Sequence, residues 1–227
     1  YKAIQEVKIM APPTDSVTPI GEELIIKGLK KEINADFYAS STRPPSVYRG
    51  NPFIIEAGIA YGGDIPKDNQ IRLLRFANRV PLQYQQSAGA ISKSVLSTVW
   101  RNYGLSQSKG SLPIGPVVLI IHIASVWVPF TSESKEAIAH YPEIIKEIKL
   151  ALQDVGRKLG THIRKYVRAK EQKQKFDLLK SYSEELADSI SSITGEKKDK
   201  IFNDLLKGIE GVYKDLKNNG VIDKSDK

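Results

Sequence analysis

The run Val117-Val-Leu-Ile-Ile-His-Ile-Ala-Ser-Val-Trp127 is apolar at odd and even positions alike, apart from one imidazole and one hydroxyl. An outer strand would alternate apolar and polar residues, whereas a strand buried on both faces needs no alternation. We therefore expect a central strand that is covered on both sides. His122 within it is expected to be a hydrogen-bonded core residue rather than a metal ligand.

A polar loop follows this strand and precedes a long helical pattern. It reads Val128-Pro-Phe-Thr-Ser-Glu-Ser-Lys-Glu-Ala-Ile138, and its one lysine, Lys135, stands among hydroxyls and carboxylates. Loops that leave a strand and open a helix are where α/β proteins present groups to a ligand. A loop lysine is usually a solvated surface charge, but at a helix start it can also act as a mobile point charge for a phosphate. The residues alone leave both interpretations open.

Two further strands are predicted upstream. Apolar residues at alternate positions from Asn51 predict the first, which a Gly-Gly-Asp turn ends. The second is predicted over 71–80. It contains more arginine than a buried strand tolerates, which indicates an open face or an anionic partner near Arg72, Arg75 and Arg79.

Two shorter helices are predicted before the central strand. One starts at Pro19, which suits a first helical turn, and ends near 33. Glu22 and Glu23 are favourable near its start, where the helix dipole is positive. The other starts at Ser87, a suitable N-cap. Its buried stripe is expected to consist of Ile91, Val95 and Val99.

The second half of the chain is helical in pattern. Apolar residues repeat at three- and four-residue spacing from Pro142 to about Ser192, with an almost wholly polar stretch over 168–175. An unbroken helix of that length would be on the order of 75 Å long at 1.5 Å per residue. We expect it to project and to dock on another element or chain. A last helix is expected to end near Asn219.

Composition excludes some classes of site and favours others. Cysteine is absent and the three histidines lie far apart, so a thiolate site, a catalytic thiol and a zinc site are not expected. A net charge of +8 favours polyanions such as nucleic acid, unless the lysines simply solvate the helices. Neither a bilayer-spanning run nor a signal peptide is expected, which favours a cytoplasmic location.

Two short motifs carry possible chemistry. Trp100-Arg-Asn-Tyr103 joins aromatics to a cation, which suits a nucleic-acid contact, but Trp100 could equally close a helix against the core. Ser132-Glu-Ser-Lys135 matches the Ser-x-x-Lys pattern of serine acyl-transfer enzymes without its companion motifs. We therefore expect an acyl-enzyme trap to label neither Ser132 nor Ser134.

Four longer stretches resemble the B subunit of DNA topoisomerase VI, and the resemblance runs from about residue 11 to 168. These stretches are Ser41-Thr-Arg-Pro-Pro-Ser-Val-Tyr-Arg-Gly-Asn-Pro-Phe53, Glu56-Ala-Gly-Ile-Ala-Tyr-Gly-Gly63, Arg75-Phe-Ala-Asn-Arg-Val-Pro81 and Val126-Trp-Val-Pro-Phe-Thr-Ser-Glu-Ser-Lys-Glu-Ala-Ile138. The resemblance implies an α+β transducer fold, a sheet backed by helices with a left-handed βαβ crossover like that of ribosomal-protein-like domain 2. It divides the chain into a lead-in (1–40), the transducer (41–141), a stalk helix (142–192) and a helical tail (193–227).

The resemblance also implies a function and its residues. Lys135 matches the transducer lysine that contacts the ATP γ-phosphate, and Trp100, Arg101 and Tyr103 match a Trp-basic-x-Tyr segment that touches DNA. The implied whole is an ATP-hydrolysing type IIB topoisomerase that passes double-stranded DNA, in which ATP is held mainly by an upstream domain and Mg²⁺ by that domain and by the partner subunit. Implied partners are the DNA-cleaving A subunit, a second B subunit and double-stranded DNA, with no metal ligand or cleaving residue in this chain. The alternative is a basic helical module that binds nucleic acid without ATP coupling.

Overall fold

One mixed six-stranded sheet forms in the computed structural model, which describes residues 12–83, 89–132 and 137–218. The strands are β1 (Phe37–Thr42), β2 (Ser46–Tyr48), β3 (Asn51–Tyr61), β4 (Arg72–Ala77), β5 (Val80–Pro81) and β6 (Val117–Ser125). The helices of this described part are α1 (Glu22–Glu32), α2 (Gly89–Ser97), α3 (Pro142–Thr194) and α4 (Lys198–Asn218). The chain divides into two compact units, one up to Thr161 and one from His162, so the division falls inside α3. The sequence instead suggests divisions after 40, 141 and 192.

Strand β6 is the centre of the sheet, as its composition predicts. The strand order is β1-β3-β6-β4-β5, with β2 also paired to β3. Strands β3 and β6 run antiparallel from Phe53 opposite Ser125 to Tyr61 opposite Val117. Strand β4 lies parallel on the other side of β6, and α2 falls between them in sequence. The left-handed crossover of this βαβ unit stays a prediction.

Helix α1 covers one face of the sheet. Its residues Ile25 and Leu29 form a core cluster with Ala60 of β3 and Val118 of β6. A Cβ on Gly58 would lie 2.5 Å from Ile25 Cγ2, so the glycine allows α1 to approach the strand closely. The predicted helix over 19–33 is confirmed, although it starts three residues later, at Glu22.

The first part of α3 covers the opposite face. Ser41 points to that face because side chains alternate along β1, and its hydroxyl donates a hydrogen bond to Asp154 of α3 at 3.2 Å. The three- and four-residue spacing predicted for this helix is the spacing of its fully buried residues. These are Ile148, Ala151, Leu152, Val155 and Leu159.

The buried carboxylate of Glu56, in β3, binds the segment that enters α1, strand β1 and strand β6. Glu56 is fully buried and accepts hydrogen bonds from the backbone N–H groups of Ile20 at 2.8 Å and Gly21 at 2.7 Å. It also accepts from Thr42 Oγ1 at 2.9 Å and pairs with His122 Nδ1 at 2.8 Å. The entry to α1 is thereby fastened to β1, β3 and β6.

The hydrogen-bond partners of His122 assign its tautomer. The backbone N–H of Arg79 donates to Nε2 at 3.0 Å, so the ring proton lies on Nδ1 and is donated to Glu56. The prediction of a hydrogen-bonded core histidine is therefore confirmed. Burial alone would raise the pKa of Glu56, but the hydrogen bonds from His122 and the three other donors more than offset it, and the pKa is lowered.

The arginines of β4 differ from expectation. Arg75 is 4 % exposed and donates to the carbonyl of Leu82 at 3.0 Å, so it belongs to the interior, whereas Arg72 and Arg79 are exposed. Burial lowers the pKa of Arg75. The predicted single strand over 71–80 is also too long, because Asn78 and Arg79 have positive φ and make a turn between β4 and β5.

The predicted stripe of α2 holds only in part. Ile91 and Val95 are buried, but Val99 is 56 % exposed because the helix ends at Ser97. Ser87, the predicted N-cap, lies outside the described residues.

The unit from His162 contains the rest of α3 and α4. Gly195, with φ of 73°, follows α3 and permits the turn at the predicted break. Lys198 Nζ pairs with Asp188 at 2.7 Å, which joins the start of α4 to α3. Ser183 and Ala187 are buried on α3, and the half-buried apolar residues of α4 are Ile201, Phe202, Leu205, Leu206 and Ile209.

The lowered pKa of Glu56 predicts a particular loss of stability in acid. Its contribution is present above the unfolded pKa of about 4.3 and is lost as pH falls through the lower folded value. Glu56→Gln should therefore lower the free energy of unfolding by roughly 1–3 kcal/mol at pH 7, with the difference shrinking at acidic pH. Urea unfolding between about pH 7 and pH 3 measures this.

Glu32→Gln, at an exposed glutamate of α1, is the control and should change the unfolding midpoint little. A Glu56→Gln deficit that stays constant across the pH range would contradict the ionised state of this carboxylate.

Candidate functional site

The loop after β6 stands on a base held by backbone hydrogen bonds. Phe130 and Ile138 form an antiparallel bridge. The N–H of Thr131 donates to the carbonyl of Ala137 at 2.8 Å, and the N–H of Ala139 donates to that of Pro129 at 2.8 Å. The two ends of the loop are thus fixed opposite each other directly after the central strand.

The start of α2 supports this base. The N–H of Ala90 donates to the carbonyl of Ile138 at 2.8 Å, and Ala137 and Ile138 are both buried. Gly89 has φ of 91°, and a Cβ there would lie 3.2 Å from the Cβ of Ala137 and the backbone of Ile138. A glycine is therefore required where α2 meets the loop.

Lys135, with Glu133 and Ser134, lies outside the described residues. The structure describes its flanking residues up to Ser132 and from Ala137. What the sequence predicts for Lys135 therefore stays a prediction.

Trp100 is a core residue. It is 0 % exposed, lies in the 3₁₀ turn Trp100–Tyr103, and its indole Nε1–H donates to the carbonyl of Val95 at 2.9 Å. The sequence allowed Trp100 either to close a helix against the core or to contact nucleic acid. Its burial supports the first of these roles. Its ring has no free face for stacking on a base.

Arg101 is exposed and organises the loop that follows. Its Nε and a terminal guanidinium nitrogen both donate to the carbonyl of Gln107, at 2.8 and 2.6 Å. The side chain of Gln107 accepts from the N–H of Trp100 at 3.0 Å and donates to the carbonyl of Ser111 at 3.2 Å. Sequence reasoning missed Gln107, because nothing in its local pattern distinguishes it from a solvated loop residue.

Tyr103 connects this segment to α3. Its ring packs edge-on to Trp100 with centroids 6.0 Å apart, and it is half-buried. A Cβ added to Gly156 would lie 2.7 Å from the Tyr103 ring, so the glycine makes room for the ring against the helix. The segment around Arg101 therefore lies beside the first part of α3.

The unit from His162 has its own row of exposed cations on α3. Between 164 and 175 the sequence has six basic residues and one acid, Glu171, and all of them are exposed. The cations are Arg164, Lys165, Arg168, Lys170, Lys173 and Lys175. The polar stretch predicted from the sequence is thus a strongly basic surface, of the kind that attracts a phosphate backbone.

Metal-binding clusters and membrane-spanning helices are both absent from the described ranges. No group of three or more His, Cys, Asp or Glu side chains there could hold a metal ion. None of the helices there combines the length and apolar content needed to cross a membrane.

The first unit is thus a mixed sheet with a helix on each face, and its central strand β6 is followed in sequence by a loop and by α3, a helix of 53 residues. The family described as "Topoisomerase VI B subunit, transducer" matches residues 12–175, and the chain belongs to that family.

Relatives in several archaea are similar over most of the chain. The B subunit of type 2 DNA topoisomerase 6 from Methanosarcina acetivorans is 48 % identical over 222 residues, which is 96 % of this chain and 36 % of the relative. The protein of the same description from Methanococcoides burtonii is 53 % identical over 83 % of this chain and 31 % of the relative. The chain spans about a third of the length of these curated relatives.

One solved structure is the B subunit of DNA gyrase from Myxococcus xanthus. It is 17 % identical, covers 53 % of this chain and 34 % of that one, and has a TM-score of 0.35. At this TM-score the overlap is too small for the two folds to be compared.

Proposed function

We propose that this chain is the linking part of an ATP-dependent type IIB topoisomerase, in which it transmits the state of bound ATP to the DNA-cleaving subunit. The observation that carries the proposal is the family match over residues 12–175, which includes the loop of Lys135. The rigid base beneath that loop supports it, because a sensor must be fixed to the element that it moves. ATP and Mg²⁺ would be held mainly upstream of this chain, and two B subunits would associate when ATP binds.

The proposed chemistry of Lys135 is electrostatic. An ammonium group near the γ-phosphate is favoured while the phosphate is present and loses that partner after hydrolysis. The loop would therefore have two preferred positions, and hydrolysis would switch between them. Because the loop ends are tied to α2 and β6, its movement is passed to the whole sheet.

Lys135→Ala in the complete enzyme should lower ATP turnover and strand passage by roughly tenfold or more, since one positioned cation on the phosphate is lost. Folding should be unchanged, because Lys135 lies in a polar loop. Steady-state ATP hydrolysis and decatenation assays measure the two effects. Lys109→Ala, at an exposed lysine of the loop after Arg101, is the control. Unchanged ATP turnover in Lys135→Ala would rule out the sensor role.

The DNA contact proposed for the Trp-Arg-Asn-Tyr segment goes through Arg101 and the accessible part of Tyr103. Trp100 contributes by holding the segment in place from the core. Double-stranded DNA along α3 would be attracted by the basic surface over 164–175. The Arg101 guanidinium is a planar fork of donors, and its two hydrogen bonds to the Gln107 carbonyl already orient it.

Arg101→Ala should weaken duplex binding and reduce the slope of log affinity against log salt by about 1, because one phosphate contact is lost. Fluorescence anisotropy with a short duplex at several salt concentrations measures this. Trp100 is left intact, since its removal would open a core cavity. Lys67→Ala, at an exposed lysine between β3 and β4, is the control and should leave the slope nearly unchanged. Equal effects of the two substitutions would indicate net charge alone rather than a defined contact.

The A subunit is proposed to dock on an apolar stripe in the unit from His162. Leu178, Tyr182 and Leu186 are four residues apart and 52–56 % exposed, and Ile193, one heptad further on, is 83 % exposed. Such residues share one helix face. The buried Ser183 and Ala187 lie on a different face of α3. An exposed stripe of large apolar residues marks a protein contact.

Leu178→Asp combined with Leu186→Asp should weaken association with the A subunit by roughly 10- to 100-fold, because two apolar anchors are lost. Isothermal titration of the two subunits measures the affinity, and circular dichroism checks that α3 is intact. Lys173→Asp, an exposed position about 140° away from Leu178 around the helix at 100° per residue, is the control. Undiminished affinity in the leucine double variant would mean that the A subunit docks elsewhere.

The alternative is a nucleic-acid-binding module without ATP coupling. The basic surface over 164–175 favours it, since that surface needs no nucleotide to attract DNA. The Lys135→Ala experiment separates the two functions, because a simple binding module requires no response of DNA passage to that lysine.

A further inference from the structure

The outer edge of β1 is closed by two charged side chains from opposite faces of the sheet. Strand β1 pairs only with β3 among the described strands, so alternate backbone groups point outward without a strand partner. The outward N–H of Thr42 donates to Glu22 Oε1 of α1 at 3.1 Å. The outward carbonyl of Ser40 accepts from Lys158 Nζ of α3 at 2.5 Å.

Glu22 and Lys158 also form an ion pair with each other. Glu22 Oε2 lies 3.6 Å from Lys158 Nζ, and both side chains are about half exposed. Helix α1 covers one face of the sheet and the first part of α3 covers the other, so this pair joins the two helices around the strand edge. Ser40 Oγ adds a hydrogen bond to the carbonyl of Glu22 at 3.0 Å.

A second group of charges extends the joint along α3. Arg43 follows β1 directly and pairs with Glu147 at 3.3 Å and with Asp154 at 3.2 Å. The side chains of all three are only 14–25 % exposed, so solvent screens them less than ordinary surface pairs. Asp154 also accepts a hydrogen bond from the Ser41 hydroxyl. Its carboxylate therefore binds both Ser41 in β1 and Arg43 just after the strand.

The joint is connected to the point where the chain enters the sheet. Thr42 donates its N–H to Glu22 and its hydroxyl to the buried Glu56, which holds the N–H groups of Ile20 and Gly21. A continuous set of hydrogen bonds therefore runs from the lead-in, through β1, to Lys158 of α3. Each step is a direct contact in the first unit.

We propose that Arg43 and Lys158 are positioning residues that fix the outgoing helix α3 to β1 and α1, so that movement of the entering segment turns α3 with it. The inference rests on the proposed function, because it names the residues through which ATP-driven movement would reach the helix. Hydrophobic burial alone holds α3 on the sheet but permits sliding and rotation, since it is non-directional. Charge-assisted hydrogen bonds to fixed backbone and carboxylate groups set one register.

The test uses the complete two-subunit enzyme with Arg43→Met and Lys158→Met combined, which keeps side-chain length and removes both charges. Strand passages per ATP hydrolysed should fall roughly 2- to 30-fold, while the ATPase rate and the melting temperature change little. Lys158→Arg keeps the charge and should retain near-normal coupling. Lys146→Met, at an exposed lysine on the same helix, is the matched control.

Each other outcome is decisive. Equal losses of ATPase and strand passage, or a marked drop in melting temperature that accounts for the loss, would overturn the positioning role in favour of a structural one. Unchanged coupling in the double methionine variant would also overturn it. Failure of the proposed function is distinguishable, because then the unaltered enzyme itself would show no ATP-dependent strand passage.

Discussion

The buried carboxylate of Glu56 is the constraint on which the first unit depends. A carboxylate with no access to water must have its lone pairs filled by donors, and here four groups from three separate segments supply them. The segment entering α1, strand β1 and His122 of β6 are therefore fixed relative to one another. Through His122 the constraint also reaches the turn at Arg79. This buried charge therefore contacts the entry to α1 directly and the β4–β5 turn through His122.

The sequence predicts those strands and helices whose apolar residues recur at the spacing that burial of one or both faces requires. Strands β3 and β6 and the long helix α3 have enough apolar residues at regular spacing to be located from that spacing. Strand β1, Phe-Tyr-Ala-Ser-Ser-Thr over 37–42, was not predicted, because its polar residues resemble a loop. It is a strand because β3 pairs with it and because Glu22 and Lys158 complete its outer edge. Such contacts are between residues distant in sequence, and no local pattern contains them.

The candidate site was predictable as a set of residues but not as an arrangement. The motif around Trp100 was found from its aromatics and cation, yet both of its interpretations were compatible with the sequence. Burial decides between them, and it divides the motif into a core anchor, Trp100, and an exposed cation, Arg101. Gln107 was missed because its role comes from backbone groups that only the folded loop brings together. For Lys135, residue chemistry allowed a phosphate contact, and the family resemblance was needed to favour one.

Helix α3 has three different surfaces in succession along its sequence. Its first part is fully buried at Leu152, Val155 and Leu159 and is fixed to β1 by charged side chains. A basic stretch over 164–175 follows, and then exposed apolar residues from Leu178. Each surface follows from the side chains of its own stretch: apolar residues where the helix is buried in the first unit, and cations and then exposed apolar side chains in the unit from His162.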